Sequence, residues 1–432
     1  MSEHGIRAAA VAVLGKNWEH DHTVPSRRLY PHQWSWDSAF TAVGWAHVDP
    51  ERARLELESL LGAQWADGRV PQIAFDPGTA RDAYAPGPDF WRSAQVPGAP
   101  VRETSGIVQP PLHAVAAWEV FRADPGPGRA FLERVYSGLR SQHEYLRRER
   151  ADGDLAVIVH PWESGQDNCP SWDAELAGVA PPADALDGYQ RRDLDHADPA
   201  DRPTDRDYAA YIHLAGRYRD HGYRDADALP DHSFVVTDPL FNALLGWSDE
   251  ALARIADELG LLAQQHRDDA RRVRDALLTE LWDADAGHFF ARGRHSGRTV
   301  EYAVGGLAPL VLDLPADVVD ALVRGIRGPR FALDDRGPLP SYDRTAPGFD
   351  PTRYWRGAAW VNTSWLVLRG LERHGRHDEA DTLRAALLTA VGDGFFEYYD
   401  PLTGTGRGSP EFSWSAALVL DVLARVPGGV AR

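Results

Sequence analysis

DPLFNALLGWSDEALARIADELGLL, residues 238–262, spaces its apolar side chains by three and four, first from Leu240 to Trp247 and again from Glu250 to Leu262. That period lines one face of a helix, whereas a strand would alternate. Asp238 and Pro239 mark the start: the acid caps free N–H groups of the first turn, and proline suits the first helical position, whose N–H has no partner to lose. Asp49-Pro50 repeats the device. Ten further windows carry the same spacing, at 39–47, 51–65, 113–122, 129–147, 208–217, 267–281, 316–326, 358–371, 377–391 and 415–423. Roughly a dozen helices follow, with no convincing run of strand alternation.

Long loops rich in Gly, Pro and Asp separate them, near 68–107, 150–206, 284–304 and 328–356. Loops of this length inside a compact domain are usually functional. No low-complexity linker divides the chain and no fixed period marks a solenoid. The expectation is an all-α fold, an (α/α)6 barrel whose long loops form the active-site face. A single catalytic domain would span 1–432, with loop insertions near 68–107 and 150–206.

Composition narrows the function. The net charge of −18, from 46 Lys+Arg against 64 Asp+Glu, opposes nucleic acid and anionic membrane as partners, although one arginine in a cleft can still hold an anion. The apolar run from Ala8 to Leu14 is short and lacks a basic leader, and no run of about 18 apolar residues occurs. A cytoplasmic protein is expected, with a homo-oligomer left open. Cys169 is the only cysteine, which excludes an internal disulfide and two-cysteine zinc sites; a small buried thiol is the expected fate. Eight of the 15 tryptophans, Trp34, Trp36, Trp91, Trp162, Trp172, Trp355, Trp360 and Trp414, fall in Gly/Pro-rich or polar segments. Aromatic faces displayed from loops suit stacking on sugar rings.

The sequence contains no G-x-G-x-x-G after a strand, no G-x-x-x-x-G-K-[ST], no H-E-x-x-H and no G-x-S-x-G, so the corresponding nucleotide, metalloprotease and esterase readings lose support. His20-Asp21-His22 is the nearest approach to a metal cluster and is expected to be solvated; neither metal nor cofactor is expected. Carboxylates among aromatics remain: Asp37, Glu163, Asp167, Asp173, Glu397 and Glu411. Hydrolysis of a glycosidic bond needs two carboxyls in different environments, one to protonate the leaving oxygen and one to receive a proton from water or bond the sugar. Asp167 follows Ser-Gly-Gln close to Trp162 and Trp172, where an apolar setting would keep it protonated. Epimerase chemistry would call on paired histidines, for which only His32, His113 and His160 stand in motif positions. A carbohydrate-binding barrel without activity is a third class.

YPHQWSWDSAF (30–40), TSGIVQPP (104–111), HPWESGQDNCPSWD (160–173), DRPTDRDY (201–208), TRYWRGAAW (352–360) and EYYDPLTG (397–404), in this order, resemble the bacterial branch of glycoside hydrolase family 63, of the mannosylglycerate and glucosylglycerate hydrolase type. The E-S-G-x-D block also looks like that of the inverting trehalases. The resemblance implies an (α/α)6 barrel and inversion at the anomeric carbon. It makes Asp167 the general acid and Glu397 the base that activates water, with carboxyls about 6.5–9.5 Å apart. It gives Glu411 a supporting role. It further implies that Tyr30, Trp34, Trp36, Asp37, Tyr84, Gln109, Tyr354, Trp355, Trp360 and Phe412 contact the substrate, Asp37 through sugar hydroxyls. Arg202 and Tyr208 match residues that grip the glycerate end, a guanidinium fork being suited to a carboxylate; pairing of Arg202 with a neighbouring aspartate is the structural alternative. Where the glucosylglycerate enzymes carry glutamines, this chain reads Glu411-Phe412-Ser413-Trp414, which leaves the sugar and aglycone open. The implied activity is hydrolysis of a small α-glucoside or α-mannoside of an acid such as glycerate, the alternative being an α-glucosidase for a neutral disaccharide or a glycosylated natural product.

Overall fold

The computed structural model describes residues 1–195, 198–333 and 337–425. Its main helices are α1 (Glu3–Asn17), α2 (Ser35–Ala46), α3 (Pro50–Leu61), α4 (His113–Ala123), α5 (Pro125–Glu149), α6 (Asp205–Asp220), α7 (Pro239–Leu259), α8 (Gln264–Ala276), α9 (Ala316–Arg327), α10 (Val361–Arg373), α11 (His377–Ala390) and α12 (Ser413–Ala424). Side-chain caps open several of them: Asp238 accepts from the N–H groups of Leu240 and Phe241, and Asp49 from that of Arg52. The two windows at 240–262 form one helix of 21 residues. Ser248 and Asp249 do not interrupt it, because both are buried on partners, Ser248 Oγ donating to the Pro111 carbonyl and Asp249 accepting from His143.

Six inner elements close a ring. α2 packs on α4, α4 on α7, α7 on the segment Val304–Val311, that segment on α10, α10 on α12, and α12 back on α2. In chain order the outer helices α1, α3, α5, α8, α9 and α11 alternate with these six, which is the (α/α)6 arrangement. An inner element lies between the ring's interior and an outer helix, so it has no face left for solvent. Every residue of α2 is accordingly buried, as are Ser413–Val422 of α12. Outer helices keep one wet face: on α5, Phe131, Leu132, Val135 and Leu139 are buried while arginines and glutamates fill the opposite side. Small residues set the closest approaches. A Cβ on Gly44 would lie 2.4 Å from the Ala417 Cα, and one on Gly370 2.4 Å from the Leu310 Cβ.

The helix count matches the sequence reading, but its membership differs. Val304–Val311 (VGGLAPLV) is a 3-10 segment interrupted by Pro309, which no helical period announces. α1 is an alanine-rich helix capped by Ser2. α6, read as one of the dozen, stands outside the ring on the loop face, against the short helix Pro88–Trp91. Strands are short. Ala151–Asp152, Leu155–Ile158, Val236–Thr237, Arg292–Gly293 and Gly297–Arg298 form an antiparallel five-stranded sheet, and Phe396–Tyr399 pairs with Gly406–Pro410. Among the described residues, no helix is long and apolar enough to cross a membrane.

Candidate active site

The N-terminal ends of the inner elements point to the loop face, and four of them deliver side chains to one cavity: Trp34, Trp36 and Asp37 at α2, Gln109 before α4, Tyr354 and Trp355 before α10, Phe412 and Trp414 at α12. The loops supply Gln72, Tyr84, Trp162, Gly165, Asp167, Asp193 and Arg202, and α6 supplies Tyr208.

Asp167 reaches the cavity from a pinned loop. His160 accepts from the Trp162 N–H, Pro161–Ser164 makes a 3-10 turn, and Ser164 Oγ accepts from the Gln166 N–H. Gly165 then takes a left-handed conformation (φ 71°) where a Cβ would sit 2.5 Å from the Trp36 ring; both conditions call for glycine. Glu163 anchors the loop from behind. Its carboxylate accepts from Arg150 at 2.8 and 2.9 Å, from the Val159 N–H at 2.7 Å and from the Val108 N–H at 3.2 Å. This ties the Asp167 loop to the segment bearing Gln109. The Tyr211 hydroxyl and Arg356 hold the carbonyls of Asp167 and Asn168. Among the described residues the Asp167 carboxyl has no side-chain donor beyond its own backbone N–H, and burial pushes it up to about 7, against the attraction of Arg202 and helped by the charge of Glu397. A large fraction of it therefore keeps its proton near neutral pH, where an ordinary aspartate is fully ionised.

Glu397 comes from the hairpin, at a bulge between Phe396 and Tyr398 where the register shifts. Bulges re-aim side chains, and this one turns the carboxylate onto four donors. Oε1 accepts from the Tyr30 hydroxyl at 2.8 Å and Arg202 Nη1 at 3.4 Å, and Oε2 from Arg202 Nη2 and the Ser409 N–H, each at 3.0 Å. Across the hairpin Gly408 has φ 69°, and a Cβ there would lie 2.5 Å from Glu397 Oε2. Arg202 stacks on Tyr354 at 4.6 Å. It pairs with Glu397, not with the neighbouring Asp201, whose partner is Arg407. Asp37, in the first turn of α2, is also buried, and desolvation with the nearby Glu397 raises its carboxyl well above the ordinary range. Among the described residues four acids and one cation thus line this cavity; Glu397 pairs with Arg202 and Asp193 with Arg191, while burial shifts Asp37 and Asp167 toward their neutral forms.

Aromatic rings make the walls. Tyr30 meets Trp34 and Phe412 edge-on at 5.3 and 5.8 Å, Trp34 meets Tyr84 at 4.9 Å, and Trp36 meets Trp414 at 5.7 Å. Of the residues expected at the site from sequence, all but Trp360 line the cavity. Trp360 is fully buried behind Trp355, stacked at 3.9 Å and 2°, and so supports the wall rather than forming it. Five of the eight loop tryptophans line the cavity; Trp91 and Trp172 are buried elsewhere, their indole N–H groups on the carbonyls of Pro86 and Gln166. The remaining carboxylate candidates are engaged away from it: Glu163 as described, Asp173 with Arg356, Glu411 with Lys16. The loop at 284–304 contributes nothing to it.

Three further expectations resolve. His22 is buried, its Nδ1 on Asp21, so the His20-Asp21-His22 run is not simply solvated: β pairing of Trp18–Glu19 with His22–Thr23 turns His22 inward. Cys169 is buried with its thiol pushed up to about 12 by desolvation, which makes it a poor nucleophile. His32, His113 and His160 all stand outside the cavity lining, on the Asp76 N–H, on Ser35 and Gln142, and on the Tyr211 carbonyl, and burial lowers each to about 4. The histidine pair of an epimerase is not assembled here. Gln72, Asp193, Pro25 and Pro203 line the cavity without having been singled out; each is a lone residue in a loop, and only the ring brings them together.

Residues 30–415 match the family described as the mannosylglycerate hydrolase MGH1-like glycoside hydrolase domain. The mannosylglycerate hydrolase of Rubrobacter radiotolerans is 42% identical over 429 residues, covering 96% of each chain. The glucosylglycerate hydrolase of Mycolicibacterium hassiacum is 35% identical over 97% of each. The crystal structure of the GH63 mannosylglycerate hydrolase from Thermus thermophilus in complex with Tris and D-glycerate superimposes with a TM-score of 0.89 at 37% identity, covering 97% of this chain and 100% of that one. With an acid- and aromatic-lined cavity at the mouth of an (α/α)6 barrel and relatives matched along nearly their whole length, the chain is a glycoside hydrolase and belongs to the mannosylglycerate hydrolase MGH1-like family within GH63.

Proposed function

We propose that the protein hydrolyses an α-mannoside or α-glucoside of glycerate with inversion, working as a single catalytic domain. The observation that carries this reading is the pairing of opposite environments in one cavity: Asp167 is desolvated and titrates at about 7, while Glu397 faces four hydrogen-bond donors. Two carboxyls so separated in environment divide the acid and base roles. Asp167 gives its proton to the glycosidic oxygen as the C1–O bond breaks. Glu397 takes a proton from the water that attacks C1 from the opposite face. Asp37 and Gln109 bond sugar hydroxyls between the indoles of Trp34 and Trp36.

The acidic aglycone has a specific argument. A carboxylate offers about four acceptor positions, and the four donors on Glu397 fill them. The longest contact is the 3.4 Å one from Arg202 Nη1. A substrate carboxylate that draws this N–H away frees a lone pair for the water, so binding of the correct aglycone and activation of the base are coupled. A neutral disaccharide lacks that lever. The relatives named mannosylglycerate and glucosylglycerate hydrolases support the same substrate class.

The test is hydrolysis of mannosylglycerate and glucosylglycerate by purified protein, with proton NMR of the sugar released first. The β-anomer is expected, and retention would exclude the acid and base assignment. Esterifying the aglycone should lower kcat/KM at least tenfold; equal rates for acid and ester would favour a neutral substrate.

A further inference from the structure

Asp193 is an acid of this cavity to which no role has been assigned. It sits in the short turn Arg192–Leu194, is 7% exposed and lines the cavity beside Tyr84 and Tyr208. Its carboxylate is held, not free to wander: Arg191 donates from Nη2 to Oδ2 at 2.6 Å and from Nε to Oδ1 at 3.2 Å. Arg191 is itself fixed, lying 3.8 Å over the Tyr208 ring and bonding Asp205 at 2.9 Å. The side-on fork leaves the second lone pair of each oxygen available to a donor. Tyr208, Arg191 and Asp193 therefore form one rigid unit that presents an anionic acceptor to the cavity.

The unit belongs to one end. Tyr208 meets Trp162 and Tyr211 at 6.3 and 5.7 Å, and the Tyr211 hydroxyl donates to the Asp167 carbonyl, whereas Glu397 is held by Tyr30, Arg202 and Ser409. The Asp193 unit therefore stands on the Asp167 side of the cavity. Water attacks from the base's side, and the leaving group departs on the acid's side. The Asp193 end is thus the aglycone end. A fixed anion there repels a carboxylate and accepts a hydroxyl. Glycerate bound through one hydroxyl carries both groups, a second hydroxyl and a carboxylate.

We infer that Asp193, oriented by Arg191 on Tyr208, is a specificity residue that accepts a hydrogen bond from the free hydroxyl of the aglycone and so selects glycerate over acids that lack it. This rests on the glycerate reading above. A site built to bond a hydroxyl rejects the analogue without it strongly, because the buried acceptor is left unpaired.

The experiment compares kcat/KM for α-mannosylglycerate with that for the glycoside whose free hydroxyl is replaced by hydrogen, which is the lactate glycoside for a 2-linked glycerate. It uses the parent, Asp193→Ala and Asp193→Asn, with thermal unfolding of each. The parent is expected to prefer glycerate by about 10- to 100-fold, as for a hydrogen bond to a charged group, and Asp193→Ala to lose most of that preference while Asp193→Asn keeps part of it. If both substrates slow by the same factor in Asp193→Ala, the residue only shapes the turn and the proposal is wrong. A parent that does not distinguish the two glycosides also overturns it, leaving the glycerate reading intact. A parent inactive on mannosylglycerate and glucosylglycerate alike overturns both.

Discussion

Replacing Asp167 with asparagine is expected to stabilise the protein by an amount that grows with pH. Burial pushes the folded-state carboxyl from 3.8 up to about 7. In the unfolded chain it ionises near its ordinary value, so above that pH unfolding releases a proton that the folded state retains, and stability is lost as pH rises. The loss begins near 3.8, grows by about 1.4 kcal/mol per pH unit and levels off above 7, at about 4 kcal/mol for a displacement of about three units. Asparagine keeps the shape and cannot ionise, so it escapes the penalty. Between pH 4 and pH 7 the advantage of the variant should widen by about 3 kcal/mol. At about 2.1 cal/mol/K of unfolding entropy per residue, a chain of 432 residues converts this into a gap in Tm that widens by about 3 °C. Thermal unfolding of parent and variant in parallel, from pH 4 to pH 8, measures it. A gap that stays constant or narrows would refute the argument that desolvation holds this carboxyl protonated.

The same value should place the alkaline limb of kcat/KM near pH 7, since the acid is lost as pH rises through it; a rate flat to pH 9 would contradict the role. Gly408→Ala should lower kcat by about 100-fold through displacement of Glu397, because the new Cβ would lie 2.5 Å from Oε2 at a left-handed backbone position; an unchanged kcat would show that the hairpin yields. Glu163→Gln should cost about 3–5 kcal/mol by breaking a buried ion pair, seen as a fall in Tm. The double change Arg150→Met with Glu163→Met should cost less than the sum of the two single changes, and strict additivity would mean that the pair is not coupled.

Much of the ring was legible because amphipathic outer helices and apolar inner ones both keep the three-and-four period, and Asp-Pro heads mark their starts. The sixth inner element was not. Gly305, Gly306 and Pro309 disfavour an α-helix, and only the press of α7 and α10 on either side makes Val304–Val311 a stave. α6 shows the converse: its period is that of a barrel helix, yet its apolar face covers the loops. At the site, residues in motif segments were visible as segments, whereas Gln72 and Asp193 are single polar residues with no local signature. Trp360 was readable as important but not as second in a stack, since a sequence does not say which of two tryptophans stands in front.

α12 meets both α1 and α2, so the wall is sealed by a stave that follows α2 by 413 − 46 = 367 residues. At ribosomal speeds of about 5–20 residues per second, Ser35–Ala46 waits roughly 20–70 s for its neighbour. Until then a trough of uncovered apolar surface persists, and Phe412, Trp414 and the hairpin bearing Glu397 are the last parts to arrive. Biosynthesis of such a toroid is therefore exposed to premature self-association for most of translation, and hydrolytic competence appears only when the final turn of the ring locks.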